Sequence, residues 1–303
     1  MTDMTVFQKN LSEKLPAVEL RFDEPMSRHT SFRIGGPAAV MAFPKCAAEL
    51  ADILKVSALL YLKPAILGAG TNVLAPDAGM DKLVICLKDC MGGMEQLDAT
   101  TIRVAAGVTM TRAAMFAANL GLSGMEFAHG IPGTVGGGVY MNAGAYGGEI
   151  KDICVAVDVM DMQGNISRRT NEEMGFSYRH SVLEDEQAIV LAAEFRLVPA
   201  SLIQVKEKMQ ELQRKRSASQ PLDLPSAGSA FKRPVGGYAA ALIDQAGLKG
   251  YTVGGAAIST KHAGFAVNVG GATAADVRNL LSQVSDIVFE KTGIRLEPEV
   301  RIW

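Results

Sequence analysis

Twenty residues from His129 to Gly148, HGIPGTVGGGVYMNAGAYGG, hold eight glycines, and no acid or strong base interrupts them before Glu149. Glycine has no Cβ, so backbone rich in it approaches another backbone, a phosphate or a flat ring at distances a side chain forbids. The irregular spacing excludes collagen and low-complexity repeats. Two readings remain: turns crowded together, or a loop built to touch a ligand.

The rest of the chain narrows the choice. At 303 residues, 48% apolar and 20% charged, it is long enough for two or three domains with a substantial core. A net charge of −2 and a pI near 6.1 leave no basic field for nucleic acid or an anionic membrane, so local groups must hold any anion. Gly, Pro, Asn and His break the uncharged runs well short of the ~20 apolar residues of a membrane span. The N-terminus MTDMTVFQKNLSEKLP has no apolar core before a small-residue cleavage site. These features predict a cytoplasmic protein without a span. Cys46, Cys86, Cys90 and Cys154 lack metal-site spacing, and read as buried free thiols with no metal site.

Apolar periodicity predicts helices over residues 45–62, 109–120, 201–219, about 237–246, and from a capping-box-like Thr273 to Gly293. It predicts strands over 65–67, 82–87, 101–105, 153–160 and 188–197, with apolar runs at 251–258 and 265–269. The C-terminal LEPEVRIW alternates Leu296, Pro298, Val300 and Ile302 on one face with Glu297, Glu299, Arg301 and Trp303 on the other.

LGAGTN at residues 67–72 follows a predicted strand, and a turn there aims amides and the Thr71 hydroxyl at a pyrophosphate. It is a near miss to G-x-G-x-x-G: Val73 stands at the third position, APDAG follows, and no βαβ unit surrounds it, which disfavours a nicotinamide Rossmann domain. Paired with the glycine stretch some sixty residues later, it suggests two loops gripping one extended dinucleotide. Taken in order, HTSFRIGGPA, LGAGTNVL, GIPGTVGGGVYMNAGAYG, FSYRHS, SAGSAFKRP, DQAGLKGY, KHAGFAVN and LEPEVRI closely resemble the motifs of the UDP-N-acetylenolpyruvoylglucosamine reductase family. The resemblance covers about residues 28–302.

That resemblance implies an α+β fold: a two-subdomain FAD-binding region of the vanillyl-alcohol-oxidase (PCMH) type plus a C-terminal α+β substrate domain. The implied division is an N-terminal helical segment 1–27, an FAD-binding region 28–200 with subdomains of about 28–90 and 91–200, and a substrate domain 201–303. It also implies a monomer holding FAD noncovalently, with NADPH as co-substrate and a UDP-sugar as substrate. NADPH reduces the flavin, hydride passes to the enolpyruvyl methylene carbon, a proton reaches the neighbouring carbon, and UDP-N-acetylmuramate for peptidoglycan results.

Hydride addition to an enol ether that carries a carboxylate leaves carbanion-like charge, which calls for a cationic or hydrogen-bonding partner and a proton donor. By resemblance, Ser229 in SAGS is the proton donor, Arg179 in YRHS is a charged fork for the substrate carboxylate, and Glu299 in EPEV orients or polarises the reacting group. In isolation these would read as a turn or cap serine, a surface cation and a strand-edge charge. The cofactor set is Gly68, Ala69, Gly70, Thr71, Asn72, Gly133, Thr134, Gly136, Gly137, Asn142, Gly144, Ala145 and Tyr146. Tyr178, Lys232 and Arg233 are placed on the substrate. Lys261 and His262 lie in a family motif without an assigned role. The segment from Ser181 to Ala227 is too short for the tyrosine-bearing insertion of longer family members, so the chain resembles the shorter subclass. Two alternatives stay open: a flavin oxidase or dehydrogenase with another substrate, and a noncatalytic nucleotide-binding module.

Overall fold

The computed structural model describes residues 4–303; the first three residues of the N-terminal segment lie outside the described residues. The chain forms two compact units, each assembled from separated stretches. One comprises residues up to 22 with 39–69 and 82–215; the other comprises 23–38, 70–81 and 216–303. This interleaving differs from the contiguous division suggested by sequence. Its cause is apolar: Phe32, Ile34 and Leu74 are buried in one core with Ala230, Phe231, Leu296 and Val300.

The first unit is organised on a five-stranded antiparallel sheet in the order Ile166–Thr170, Cys154–Met160, Ile189–Arg196, Thr101–Ala105, Met94–Gln96. Alternation sorts its faces. Ile102, Val104, Val157, Ala193 and Phe195 point into a core shared with Ala113 and Ala117 of helix Met110–Asn119 and with Val135 and Val139 of the glycine stretch. Arg103, Asp158, Arg168 and Glu194 ion-pair with one another across the strands, Arg168 Nη2 lying 2.5 Å and Arg103 Nη1 3.1 Å from the Glu194 carboxylate. These two guanidiniums, Arg168 first, hold the Glu194 carboxyl below the usual carboxylate range. A second sheet runs Glu19–Pro25, Pro37–Phe43, Met80–Cys86, Ala65–Leu67, its last two strands parallel. Helix Ala47–Leu59 buries Leu50, Ile53 and Leu54 in a core with Leu11, Val40, Leu83 and Ile85.

In the second unit, Ser226–Ser229, Phe265–Asn268, Ala256–Ile258 and Thr252–Val253 form an antiparallel sheet. Helices Ala239–Gln245 and Ala274–Thr292 pack in its core. The long helix has the expected capping box, Thr273 with Asp276, and ends at Gly293 with φ +73°. Asp77 adds further caps, its carboxylate accepting the Ala274 and Ala275 amides at 2.7 and 3.2 Å.

Several readings change. Strands Glu19–Pro25 and Pro37–Phe43 were not expected, and residues 19–25 are not part of a helical segment. A short helix, Val135–Tyr140, lies inside the glycine stretch. LEPEVRIW does not run as one alternating strand: Pro298 bridges Phe231 and Arg301–Ile302 pairs with Val73–Leu74, and Pro298 and Ile302 are exposed while Leu296 and Val300 are buried. Cys86 and Cys154 are buried, which pushes their thiols up to about 11 and about 12, whereas Cys46 is exposed.

Candidate active site

In the first unit the glycine stretch begins as an edge laid on the sheet. Met110 donates to the Gly133 carbonyl at 3.0 Å, Val135 to Val108 at 2.7 Å and Gly136 to Ala106 at 2.9 Å. Gly137 donates to the Thr134 hydroxyl at 3.3 Å. Gly136 is glycine for packing: a Cβ there would stand 2.9 Å from the Ala106 side chain. The amides of Val135, Gly136 and Gly137 are therefore committed to protein, and this part of the loop does not offer the cluster of donors expected of it. The GAGTN turn arrives beside it. A Cβ on Gly68 would lie 2.7 Å from Thr134 Oγ1, so the two glycine motifs meet in one unit. The amides of Ala69 and Gly70 donate to no acceptor among the described residues.

The stretch ends in a tight hairpin, with Gly144 paired to Glu149 and Ala145 to Gly148. Tyr146 (φ +54°) and Gly147 (φ +87°) form its tip, the two positive φ angles that a type I′ turn requires. Tyr146 is 44% exposed there. The YRHS motif is a second tight turn. Ser177 and His180 exchange backbone bonds of 3.1 and 3.3 Å, leaving Tyr178 and Arg179 at the tip. Arg179 takes φ +56°, a conformation that a non-glycine residue adopts at a cost and that clusters at functional sites. Its guanidinium lies 5.2 Å from the Tyr178 ring centroid, and its Nη2 donates to the Gly144 carbonyl at 3.4 Å.

Asn142 and Ser181 fix this turn. Asn142 is fully buried, donating from Nδ2 to Glu149 Oε2 at 2.7 Å and to the Ser177 carbonyl at 2.9 Å, while its Oδ1 accepts the Lys151 amide at 3.0 Å. Its polar atoms have partners in the protein, and through Ser177 it braces the Arg179 turn. Ser181, also fully buried, donates to the Tyr140 carbonyl at 2.7 Å. A buried serine two residues beyond an arginine carries no signal in one sequence.

In the second unit Ser229 and Glu299 come from adjacent segments. The Glu299 amide donates to the Ala230 carbonyl at 2.9 Å, Phe231 bridges Pro298, and the Lys232 amide donates to the Glu297 carbonyl at 2.9 Å. This register sets Ser229 next in line to Glu299. Asn72 closes the group: its Nδ2 donates to the Glu299 carbonyl at 3.2 Å and its carbonyl accepts the Arg301 amide at 3.0 Å, while its buried Oδ1 has no partner among the described residues. Such an orphaned acceptor points to a donor supplied by a ligand. Thr71, half-buried, precedes it.

Gly70 has φ +61°, and a Cβ there would stand 2.0 Å from the His29 carbonyl oxygen. Glu297 is exposed and its carboxylate binds Lys232, so that ammonium is already compensated. The Arg233 guanidinium lies over the Tyr238 ring at 4.5 Å. Lys261 donates to the Ser217 carbonyl at 2.7 Å. His262 accepts the Gly264 amide on Nδ1 at 3.1 Å, and half-burial holds its pKa down, as a neutral ring used as an acceptor requires. No group of three or more metal-ligating side chains occurs among the described residues, and no helix among them is long and apolar enough to cross a membrane.

The motifs thus converge within each unit, and comparison with known proteins agrees with them. Residues 220–303 match the UDP-N-acetylenolpyruvoylglucosamine reductase C-terminal domain, and residues 37–169 match an FAD binding domain. The UDP-N-acetylenolpyruvoylglucosamine reductase of Caldanaerobacter subterraneus subsp. tengcongensis is 46% identical over 96% of both chains, and that of Agathobacter rectalis 43% over 98% of both. The chain belongs to the UDP-N-acetylenolpyruvoylglucosamine reductase family. The crystal structure of the Thermus caldophilus reductase superimposes with a TM-score of 0.79 at 36% identity, covering 94% of this chain and 98% of that one. A 4-ethylphenol oxidase from Gulosibacter chungangensis, at TM-score 0.50 and 15% identity over 66% of this chain and 43% of its own, shares the fold alone. The reductase chain is therefore α+β, with an FAD-binding region of the vanillyl-alcohol-oxidase type and the C-terminal domain of its family.

FAD suits the residues present. In the first unit the unspent Ala69 amide and the close meeting of Gly68 with Thr134 suit a flat ligand bearing acceptors, and in the second the unspent Gly70 amide and the orphaned Asn72 oxygen suit one with acceptors and donors of its own.

Proposed function

We propose that this chain is the NADPH-dependent flavoenzyme that reduces the enolpyruvyl group of UDP-N-acetylglucosamine enolpyruvate to UDP-N-acetylmuramate, a step in making peptidoglycan precursors in the cytoplasm. The observation that supports this reading is the backbone register joining Ala230 to Glu299, which brings the segments of Ser229 and Glu299 side by side next to the GAGTN turn. FAD, held noncovalently, supplies hydride uptake from NADPH and hydride delivery to the substrate. In the balance, one hydride and one proton add across the enolpyruvyl double bond, and NADPH leaves as NADP⁺.

The protein's part is to bind, orient and protonate. Region 28–200 takes the cofactor through Gly68, Ala69, Gly70, Thr71 and Asn72 on one loop and Gly133, Thr134, Gly144, Ala145 and Tyr146 on the other. Region 201–303 takes the UDP-sugar, with Arg233 and Lys232 toward its diphosphate and Tyr178 assisting from the YRHS turn. Arg179 offers a fixed charge to the substrate carboxylate, where negative charge grows in the transition state. Ser229 Oγ passes its proton to the carbon next to the one that receives hydride; a hydroxyl is a weak acid, but the carbanion-like centre is a strong base. Glu299 orients the reacting group. We further propose that the enzyme works as a monomer.

An absorbance spectrum of purified protein tests this. The expected protein is yellow, bleaches with NADPH, and recovers its colour on addition of the enolpyruvyl sugar nucleotide under anaerobic conditions. A folded, colourless protein that takes up no FAD refutes the reading. Recovery with other acceptors but not with the enolpyruvyl compound favours the alternative, an oxidase on the same fold.

A further inference from the structure

HTSFRIGG, the first of the sequence motifs, has no task in the proposed reaction. We infer that Ser31, within it, is the positioning residue that aims the Ser229 hydroxyl. The inference rests on the proposed role of Ser229.

Ser229 ends a strand that is irregular where it matters. Ser226 pairs with Val267 and Ser229 with Phe265, so three steps on one strand face two on the other. The extra residue makes a bulge, a device that redirects the side chain after it. Gly228, inside the bulge, has φ +76° and open space around the position of a Cβ. Within the bulge only Ala227 packs in the core, so what aims the residue after Gly228 is Ala227 together with the two ends of the bulge.

The far end is held by backbone. Ala230 donates to the Gly264 carbonyl at 2.8 Å and accepts the Glu299 amide at 2.9 Å. The near end has backbone pairing, Ser226 with Val267 and the Asn268 amide donating to the Pro225 carbonyl at 2.8 Å, and one side chain in addition: Ser31 Oγ donates to the Ser226 carbonyl at 2.5 Å. The same oxygen is 3.4 Å from the Gly70 carbonyl, too long to compete for its single proton. The Ser31 amide donates to Gly70 at 3.0 Å. Ser31 therefore joins the GAGTN turn to the strand that carries Ser229, as Asn72 joins that turn to Glu299. The four segments form a closed circuit of hydrogen bonds.

The turn bearing Ser31 is rigid enough for this. Thr30 is buried, its Oγ1 donating to the Ile34 carbonyl at 2.8 Å and accepting the Ile34 amide at 3.3 Å. Phe32 and Ile34 are anchored in the core on either side of Arg33, which takes φ +56°. The Phe32 carbonyl accepts Asn268 Nδ2 at 3.1 Å, so the turn also grips the strand opposite the bulge. Proton delivery needs heavy atoms within hydrogen-bond reach of the acceptor carbon, and a displacement of about 1 Å costs up to 10²-fold in rate.

The test separates the two half-reactions in full-length, FAD-loaded protein by stopped flow. Ser31→Ala should bleach with NADPH within about two-fold of wild type. Its reoxidation by the enolpyruvyl sugar nucleotide should slow about 10- to 100-fold, with a larger solvent deuterium isotope effect as protonation limits the rate. Ser31→Thr, which keeps the hydroxyl, should restore most of the rate. In a Ser229→Ala background, Ser31→Ala should add nothing. Ser31→Cys, similar in size but a weak donor, should show the same selective slowing and serves if the alanine variant does not fold. Wild-type reoxidation by both the alanine and cysteine variants overturns the inference. So does equal slowing of both half-reactions, or an effect that multiplies with that of Ser229→Ala. If wild-type protein is not reoxidised by the enolpyruvyl compound, it is the proposed function that fails.

Discussion

Replacing Asn142 by alanine should cost this enzyme both stability and turnover, by amounts that follow from three hydrogen bonds. The side chain is fully buried and satisfies the Ser177 carbonyl, the Lys151 amide and one Glu149 oxygen. Alanine leaves the Lys151 amide without its acceptor and takes one of two donors from the Ser177 carbonyl, which keeps the His180 amide at 3.3 Å, for a cost of about 1–3 kcal/mol in all. Asn142 also has φ +45°, where asparagine is tolerated and alanine pays roughly 1 kcal/mol. With the cost of the left-handed backbone, the expected loss is about 2–4 kcal/mol, which lowers the melting temperature by roughly 4–16 °C for a unit of this size. The functional effect should exceed the loss of FAD. Ser177 opens the turn that holds Arg179, so freeing its carbonyl lets the guanidinium wander from the substrate carboxylate. In FAD-saturated protein below its melting point, KM for the enolpyruvyl compound should rise and kcat should fall, while bleaching by NADPH stays close to wild type. Asn142→Asp should be no milder, because it sets a second carboxylate 2.7 Å from Glu149. An Asn142→Ala protein that melts within about 2 °C of wild type with unchanged KM would refute the bracing role, and with it the account of how the YRHS turn is held.

Other outcomes follow from single contacts. Glu194 has its pKa lowered by Arg168 and Arg103, so the folded state binds its proton less readily than the unfolded state. That contribution is complete above the ordinary carboxylate value of 4.5 and is lost as the pH falls through the lower folded value; urea melts between pH 3 and 7 should show a shallower acid loss in Glu194→Gln, and an unchanged slope would contradict the network. Gly70→Ala meets the His29 carbonyl at 2.0 Å from a left-handed backbone, a clash no rotamer relieves; the protein should purify with little flavin, and full FAD content would show that the turn is not needed in this form. Glu299→Gln should reduce turnover at least tenfold while Glu297→Gln, at an exposed partner of Lys232, stays within about threefold in steady-state assays. The opposite order would mean that the register of the C-terminal segment has been assigned to the wrong carboxylate.

What the sequence made legible divides by physical range. Elements set by their own residues are readable: the helix expected over 109–120 and found at Met110–Asn119, the Thr273–Asp276 capping box, Gly293 at its end, and Leu50, Ile53 and Leu54 on one helical face. The site was readable as motifs. It was not readable as geometry, because each motif is completed by a distant residue. Glycine density suggested backbone free for a ligand, yet Gly136 is glycine because Ala106 lies against it, thirty positions earlier in the chain. Asn142 sat among flavin-loop residues and drew that assignment, but its amide serves Ser177, an acceptor no local pattern reveals. The C-terminal alternation puts Leu296, Pro298, Val300 and Ile302 on one face; the segment instead pairs at two separate points, with Phe231 and with Val73–Leu74, so that Leu296 and Val300 are covered while Pro298 and Ile302 are not. Residues 23–38 show the limit most clearly. Their apolar side chains, Phe32 and Ile34, are as readable as any, but which core receives them depends on Leu74 and Val300, so only folding assigns that stretch to the unit that carries Ser229. A motif near the N-terminus can therefore steer a hydroxyl almost two hundred residues away.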